Sequence, residues 1–128
     1  MSRFRIALTA PLLAALAFAG GAQAHTKLVS SSPAANATIG KTGRIVLTFN
    51  ERVFAKFTGA KLAMTSMPGM ANHQPMPITG FTSAMSPDGK TLTLTMRRAL
   101  APGTYQLNWF AAGADTHRMT GTLSFTVR

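Results

Sequence analysis

Lys90-Thr91-Leu92-Thr93-Leu94-Thr95-Met96-Arg97 alternates apolar and hydroxyl side chains with a period of two. In an extended chain that spacing sends Leu92, Leu94 and Met96 to one face and the threonines to the other. A strand with one buried face follows. The same period recurs in Ile45, Leu47 and Phe49, in Tyr105, Leu107 and Trp109, and in Leu123, Phe125 and Val127. Threonine, a good strand former, fills many of the intervening positions. Weaker strands are expected near 26–30, 60–64 and 78–81. Turn residues separate them at Ser32-Pro33, Asn50-Glu51, Ser86-Pro87-Asp88-Gly89 and Ala101-Pro102-Gly103. About seven short strands in roughly 100 residues match an all-β, Greek-key immunoglobulin-like β-sandwich, with Trp109 and Met96 in its core. No long helix, repeat or linker interrupts the pattern.

The first 24 residues differ in composition from the rest. Arg3 and Arg5 form a positive start, Ile6 to Phe18 an apolar run, and Ala22-Gln23-Ala24 a small-x-small cleavage site. Residues 1–24 are expected to be a secretory signal peptide, and 25–128 one mature domain beginning at His25. The apolar run is too short for a spanning helix and holds Pro11. Without Arg3 and Arg5 the mature part keeps 11 Lys and Arg against three acids, Glu51, Asp88 and Asp115, so its side chains sum to +8. Export removes nucleic acid as a partner, and the cations are scattered rather than clustered with aromatics. An anionic membrane surface or an acidic protein remains. The chain has no cysteine, so the fold rests on its core, and a metal site must use His, Asp, Met or the terminus.

Two residue sets have that chemistry. A terminal His25 offers its α-amine and Nδ1 to one ion, a nitrogen pair suited to Cu(II). Asp115-Thr116-His117, if extended, would place Asp115 and His117 on one face. Together they compose a tetragonal N/O set. Read separately, His25 is an ordinary first residue and Asp115 with His117 a surface ion pair or a hydrogen-bonded loop. Only a fold that brings the terminus to Asp115 unites them. The second set is Met64, Met67, Met70, His73 and Met76, at every third position. Pro68, Gly69, Pro75 and Pro77 exclude a helix interior, so an exposed loop is expected. Thioethers select Cu(I), and the loop would have to double back to converge them. A methionine-rich protein interface is the competing reading. Met119 adjoins the Asp-x-His motif with no evident role. No Ser-His-Asp order, phosphate loop or carboxylate pair is present, which argues for a binding protein rather than an enzyme. Two other classes stay open: a copper-dependent oxidative enzyme, since a terminal histidine chelate can serve oxygen chemistry, and a metal-free interaction module.

The segments 25–33 (HTKLVSSSP), 57–64 (FTGAKLAM), Met67-Pro-Gly-Met70, Gly103-Thr-Tyr105, Trp109 and Asp115-Thr-His117 with Thr120-Gly121 resemble the periplasmic copper-resistance proteins of the CopC/PcoC type. The resemblance spans essentially the whole mature chain. It implies a β-sandwich with a Cu(II) site at His25, Asp115 and His117 and a Cu(I) site at Met64, Met67, Met70, His73 and Met76. It also implies carriage or delivery of periplasmic copper, with an inner-membrane CopD-like transporter or another periplasmic copper protein as partner. The chain departs from the pattern in a longer Met70–His73 spacer, at Thr48 and at Arg118-Met119.

Overall fold

The computed structural model describes residues 25–71 and 73–128. The signal peptide expected over 1–24 lies outside them. Among the described residues nine strands form two sheets. The first contains β1 (Leu28–Ser32), β3 (Arg44–Phe49), β7 (Thr91–Met96) and β6 (Phe81–Met85), in the spatial order β1-β3-β7-β6. The second contains β2 (Thr38–Ile39), β9 (Arg118–Val127), β8 (Gly103–Ala112), β4 (Gly59–Ser66) and β5 (Met76–Ile78), in the order β2-β9-β8-β4-β5. Every pairing is antiparallel except that of β2 with β9. A short 3-10 turn, Ala55–Phe57, leads into β4.

The period-two residues form the interior. Ile45, Leu47, Phe49, Leu92, Leu94, Met96, Tyr105, Leu107, Trp109, Leu123, Phe125 and Val127 are all buried in one cluster between the sheets. Burying each such large side chain contributes about 1.5–3 kcal/mol before entropy. Phe49 of β3 meets the Trp109 ring of β8 edge-on, with centroids 5.5 Å apart, and joins the two sheets. Tyr105 and Phe125, paired in register on β8 and β9, stack at 5.5 Å. The Tyr105 hydroxyl donates to the Ala101 carbonyl at 2.6 Å and ties the β7–β8 connection to the core.

Two expectations about the strands change. The pattern pointed to about seven strands, whereas the described residues hold nine. The strand placed near 78–81 is two: β5 ends at Ile78 in one sheet and β6 starts at Phe81 in the other. Thr79 and Gly80 carry the chain across, and the Phe81 N–H donates to the Thr79 carbonyl at 2.9 Å in a tight turn. Pro77, lacking a donor, is tolerated because β5 is an edge strand. The two-residue β2 is too short to show any period.

Candidate metal centre

The β8–β9 connection, residues 113–117, is a tight turn. The Thr116 N–H donates to the Gly113 carbonyl at 2.9 Å, and Thr116 adopts the left-handed conformation at φ 61°. The His117 N–H donates to Asp115 Oδ1 at 3.2 Å, a side-chain-to-backbone bond of the kind that makes aspartate a turn former. Asp115 and His117 therefore converge through a turn and not through strand alternation as the spacing suggested. A left-handed, β-branched Thr116 costs about 1–3 kcal/mol, which the hairpin must offset.

His25 reaches this turn because the segment behind it is tied down. Thr26 is 1% exposed, and its hydroxyl donates to Glu51 Oε1 at 2.6 Å. Asn50 meets the same segment three times. Its Nδ2 donates to the His25 carbonyl at 3.1 Å, its Oδ1 accepts from the Lys27 N–H at 2.8 Å, and its own N–H donates to the Lys27 carbonyl at 3.0 Å. Gly113 closes over this arrangement. A Cβ there would lie 2.7 Å from Thr26 Oγ1 and closer still to Glu51 Oε1. In the sequence Asn50-Glu51 reads only as turn punctuation; nothing local marks it as the anchor of a segment 25 residues away.

The three expected ligands come together. His25 Nδ1 stands 4.0 Å and His117 Nδ1 3.5 Å from Asp115 Oδ2, and the two imidazole centroids are 6.5 Å apart. One donor atom from each residue lies within 4.8 Å of the others. Donors on one ion with ~2 Å bonds stand at most ~4 Å apart across it, so small ring rotations complete the set. The side chains are 50%, 30% and 66% exposed for His25, Asp115 and His117. The centre opens to solvent, so an ion can enter and leave without unfolding. Among the described residues no other cluster of His and carboxylates satisfies this geometry. Met119 belongs to β9 and packs half-buried against the core, which gives it a structural role.

The methionine segment is a hairpin. Met64 and Met76 are register partners on β4 and β5. At the tip, Met67 and Met70 exchange backbone hydrogen bonds at 3.2 and 3.0 Å around Pro68-Gly69, with Gly69 at φ 81°. Proline followed by a left-handed glycine is the signature of a type II turn. The loop thus doubles back as convergence requires. Met70 and Met76 are exposed, and Met67 packs partly on the core. Met64 departs from the expected exposed loop: it is an inward residue of β4, 6% exposed, packed beside Gly103. His73 Nδ1–H donates to the Gln74 carbonyl at 2.6 Å, which leaves the lone pair on Nε2. That Nε2 is buried with no hydrogen-bond partner among the described residues. A ring held this way through Nδ1 presents Nε2 as a metal ligand would.

β8 separates the two sets. Its first residue, Gly103, lies against Ser66 and Met64 at the base of the methionine hairpin; its last, Ala112, leads into the Asp115 turn. Ten extended residues span roughly 30 Å.

A profile of the CopC domain matches residues 28–128. Copper resistance protein C of Escherichia coli is 41% identical over 121 residues, 94% of each chain. Copper resistance protein C of Xanthomonas campestris pv. juglandis is 43% identical over the whole of both chains. The crystal structure of PcoC, a methionine-rich copper resistance protein from Escherichia coli, superposes with a TM-score of 0.74 at 40% identity, covering 82% of this chain and all of that one.

Proposed function

The chain belongs to the CopC family, and from that premise we propose that it is an exported copper-binding protein of copper resistance and homeostasis. In this reading it holds Cu(II) at His25, Asp115 and His117, and Cu(I) on the methionine hairpin. The observation that carries it is the meeting of three donor side chains, from a tied-down N-terminal segment and a hairpin turn, within 4.8 Å. Cleavage after Ala24 would add the α-amine of His25 as a fourth donor and complete a tetragonal N/O set. The Nε2 of His73, without a hydrogen-bond partner among the described residues, supports a second, softer site with Met67, Met70 and Met76. Met64, buried at 6% exposure and the register partner of Met76, is the least accessible of the four sulfurs.

The open, strained first centre and a second one reached through the exposed Met70 and Met76 suit an ion that is passed on, so we assign carriage or delivery rather than catalysis. The periplasm is the compartment that the expected signal peptide implies. An inner-membrane CopD-like transporter or another periplasmic copper protein is the partner.

Cu(II) electron paramagnetic resonance on the mature protein tests the reading. A tetragonal, nitrogen-rich signal at one equivalent should be lost when one residue is added before His25. X-ray absorption after ascorbate should then show sulfur replacing nitrogen, because the reduced ion prefers thioethers. A signal indifferent to the extension removes His25 from the site, and retention of nitrogen ligands after reduction rejects the two-site scheme.

A further inference from the structure

We propose that Asn50 is the positioning residue of the first centre: its side chain fixes the His25 main chain so that amine and imidazole face Asp115 and His117 before any ion arrives. The inference rests on the Cu(II) reading above and adds a residue that donates nothing to the metal. His25 has three groups on its Cα that matter, the amine, the imidazole arm and the carbonyl. The first two must point at one ion. Asn50 holds the third, with Nδ2 3.1 Å from the His25 oxygen, while Oδ1 takes the Lys27 N–H at 2.8 Å. The same amide therefore brackets Thr26 from both sides.

The bracket matters because a chain terminus is otherwise the least ordered part of a domain. An ion that had to order residues 25–27 itself would lose affinity to their conformational entropy. The burial of Thr26 keeps the segment on the domain but does not orient its first residue; among the described residues the Asn50 Nδ2–H bond is the one that holds the main chain of residue 25. Asn50 follows β3 directly, and Phe49 at the end of β3 is buried, so the amide stands on a rigid base. It is a side chain on structured backbone aimed at a terminus, not a loop that moves with it.

The test is a double-mutant cycle in the mature protein, with Cu(II) affinity measured against a competing chelator in the parent, Asn50→Ala, His25→Ala and the double variant. Asn50→Ala should weaken Cu(II) about tenfold, the net contribution of one hydrogen bond. In the His25→Ala background the same change should alter affinity less than twofold, because there is no His25 chelate left to position. Cu(I) binding at the hairpin should be unchanged and reports that the domain is folded. In metal-free protein, hydrogen exchange at the Lys27 amide should accelerate in Asn50→Ala. If alanine at this site prevents folding, Asn50→Ser, too short to bridge both partners, should give the same tenfold loss. Equal losses with and without His25, or no loss with it, overturn the inference while leaving the copper reading intact. A parent that binds no Cu(II) overturns both, and the two failures are told apart by the parent titration alone.

Discussion

Gly113→Ala puts the link between the two halves of the centre under direct load. The added methyl would sit 2.7 Å from Thr26 Oγ1 and nearer to Glu51, so the Thr26–Glu51 hydrogen bond at 2.6 Å cannot persist unchanged. Gly113 is not in the left-handed region, so the cost is steric. A hydrogen bond to a charged acceptor contributes about 1.5–3 kcal/mol. Against this, alanine lowers the entropy of the unfolded chain and returns about 0.4–1 kcal/mol. The balance is a net loss of about 1–2 kcal/mol. For a domain of this size each kcal/mol moves the midpoint by about 4–8 °C, so thermal denaturation of the metal-free protein, followed by circular dichroism, should fall by about 5–15 °C. Displacing Thr26 also moves His25 from Asp115, so Cu(II) affinity should drop with it while Cu(I) affinity holds. A variant that melts within about 2 °C of the parent and keeps its Cu(II) affinity would refute the coupling of the N-terminal segment to the turn.

Three further outcomes are expected. Tyr105→Phe should cost about 1 kcal/mol at neutral pH through loss of the bond to Ala101, read in a urea melt. Burial raises the Tyr105 pKa above its ordinary value of 10.0, so its neutral form stabilises the fold below pH 10 and that contribution disappears as pH rises through the folded value; the phenylalanine variant should lack this alkaline loss. The Asp88 carboxyl is held below its ordinary 3.8 by the Ser86 hydroxyl and the Lys90 N–H, so the turn 86–89 gains stability above that pH and loses it as the pH falls through the folded value. Its carboxyl resonance should titrate below 3.8, and Ser86→Ala should move the midpoint up. His73→Ala should weaken Cu(I) but not Cu(II), measured by competition with a colorimetric Cu(I) chelator.

The interior was legible because its signal is local. Leu92, Leu94 and Met96, or Leu123, Phe125 and Val127, announce a buried face by their spacing, and each is buried. The donors of the proposed Cu(II) centre stood out as chemistry: two histidines and an aspartate among few polar residues of their kind, which the fold brings within 4.8 Å. What the residues could not carry was long-range. The parallel pairing of β2 with β9 and the clasp of Asn50 and Glu51 on residues 25–27 depend on contacts between distant segments. The spacing of Asp115-Thr116-His117 fits an extended strand as well as a turn, and only the left-handed Thr116 shows that a turn does the work. At Met64 the three-residue period in methionine masks the alternation of β4, in which Leu62 and Met64 both face inward.

The length of β8 has a kinetic meaning. In the proposed two-site reading the nitrogen donors lie at one end of the strand and the sulfur donors at the other, roughly 30 Å away, so no ion can touch both sets of one molecule and direct handover needs a second molecule. Passage from nitrogen to sulfur should therefore be a bimolecular event, between two copies or through a carrier. Its rate should climb with total protein concentration, slow when the protein is tethered sparsely to a surface, and proceed between one variant lacking the first centre and another lacking the hairpin.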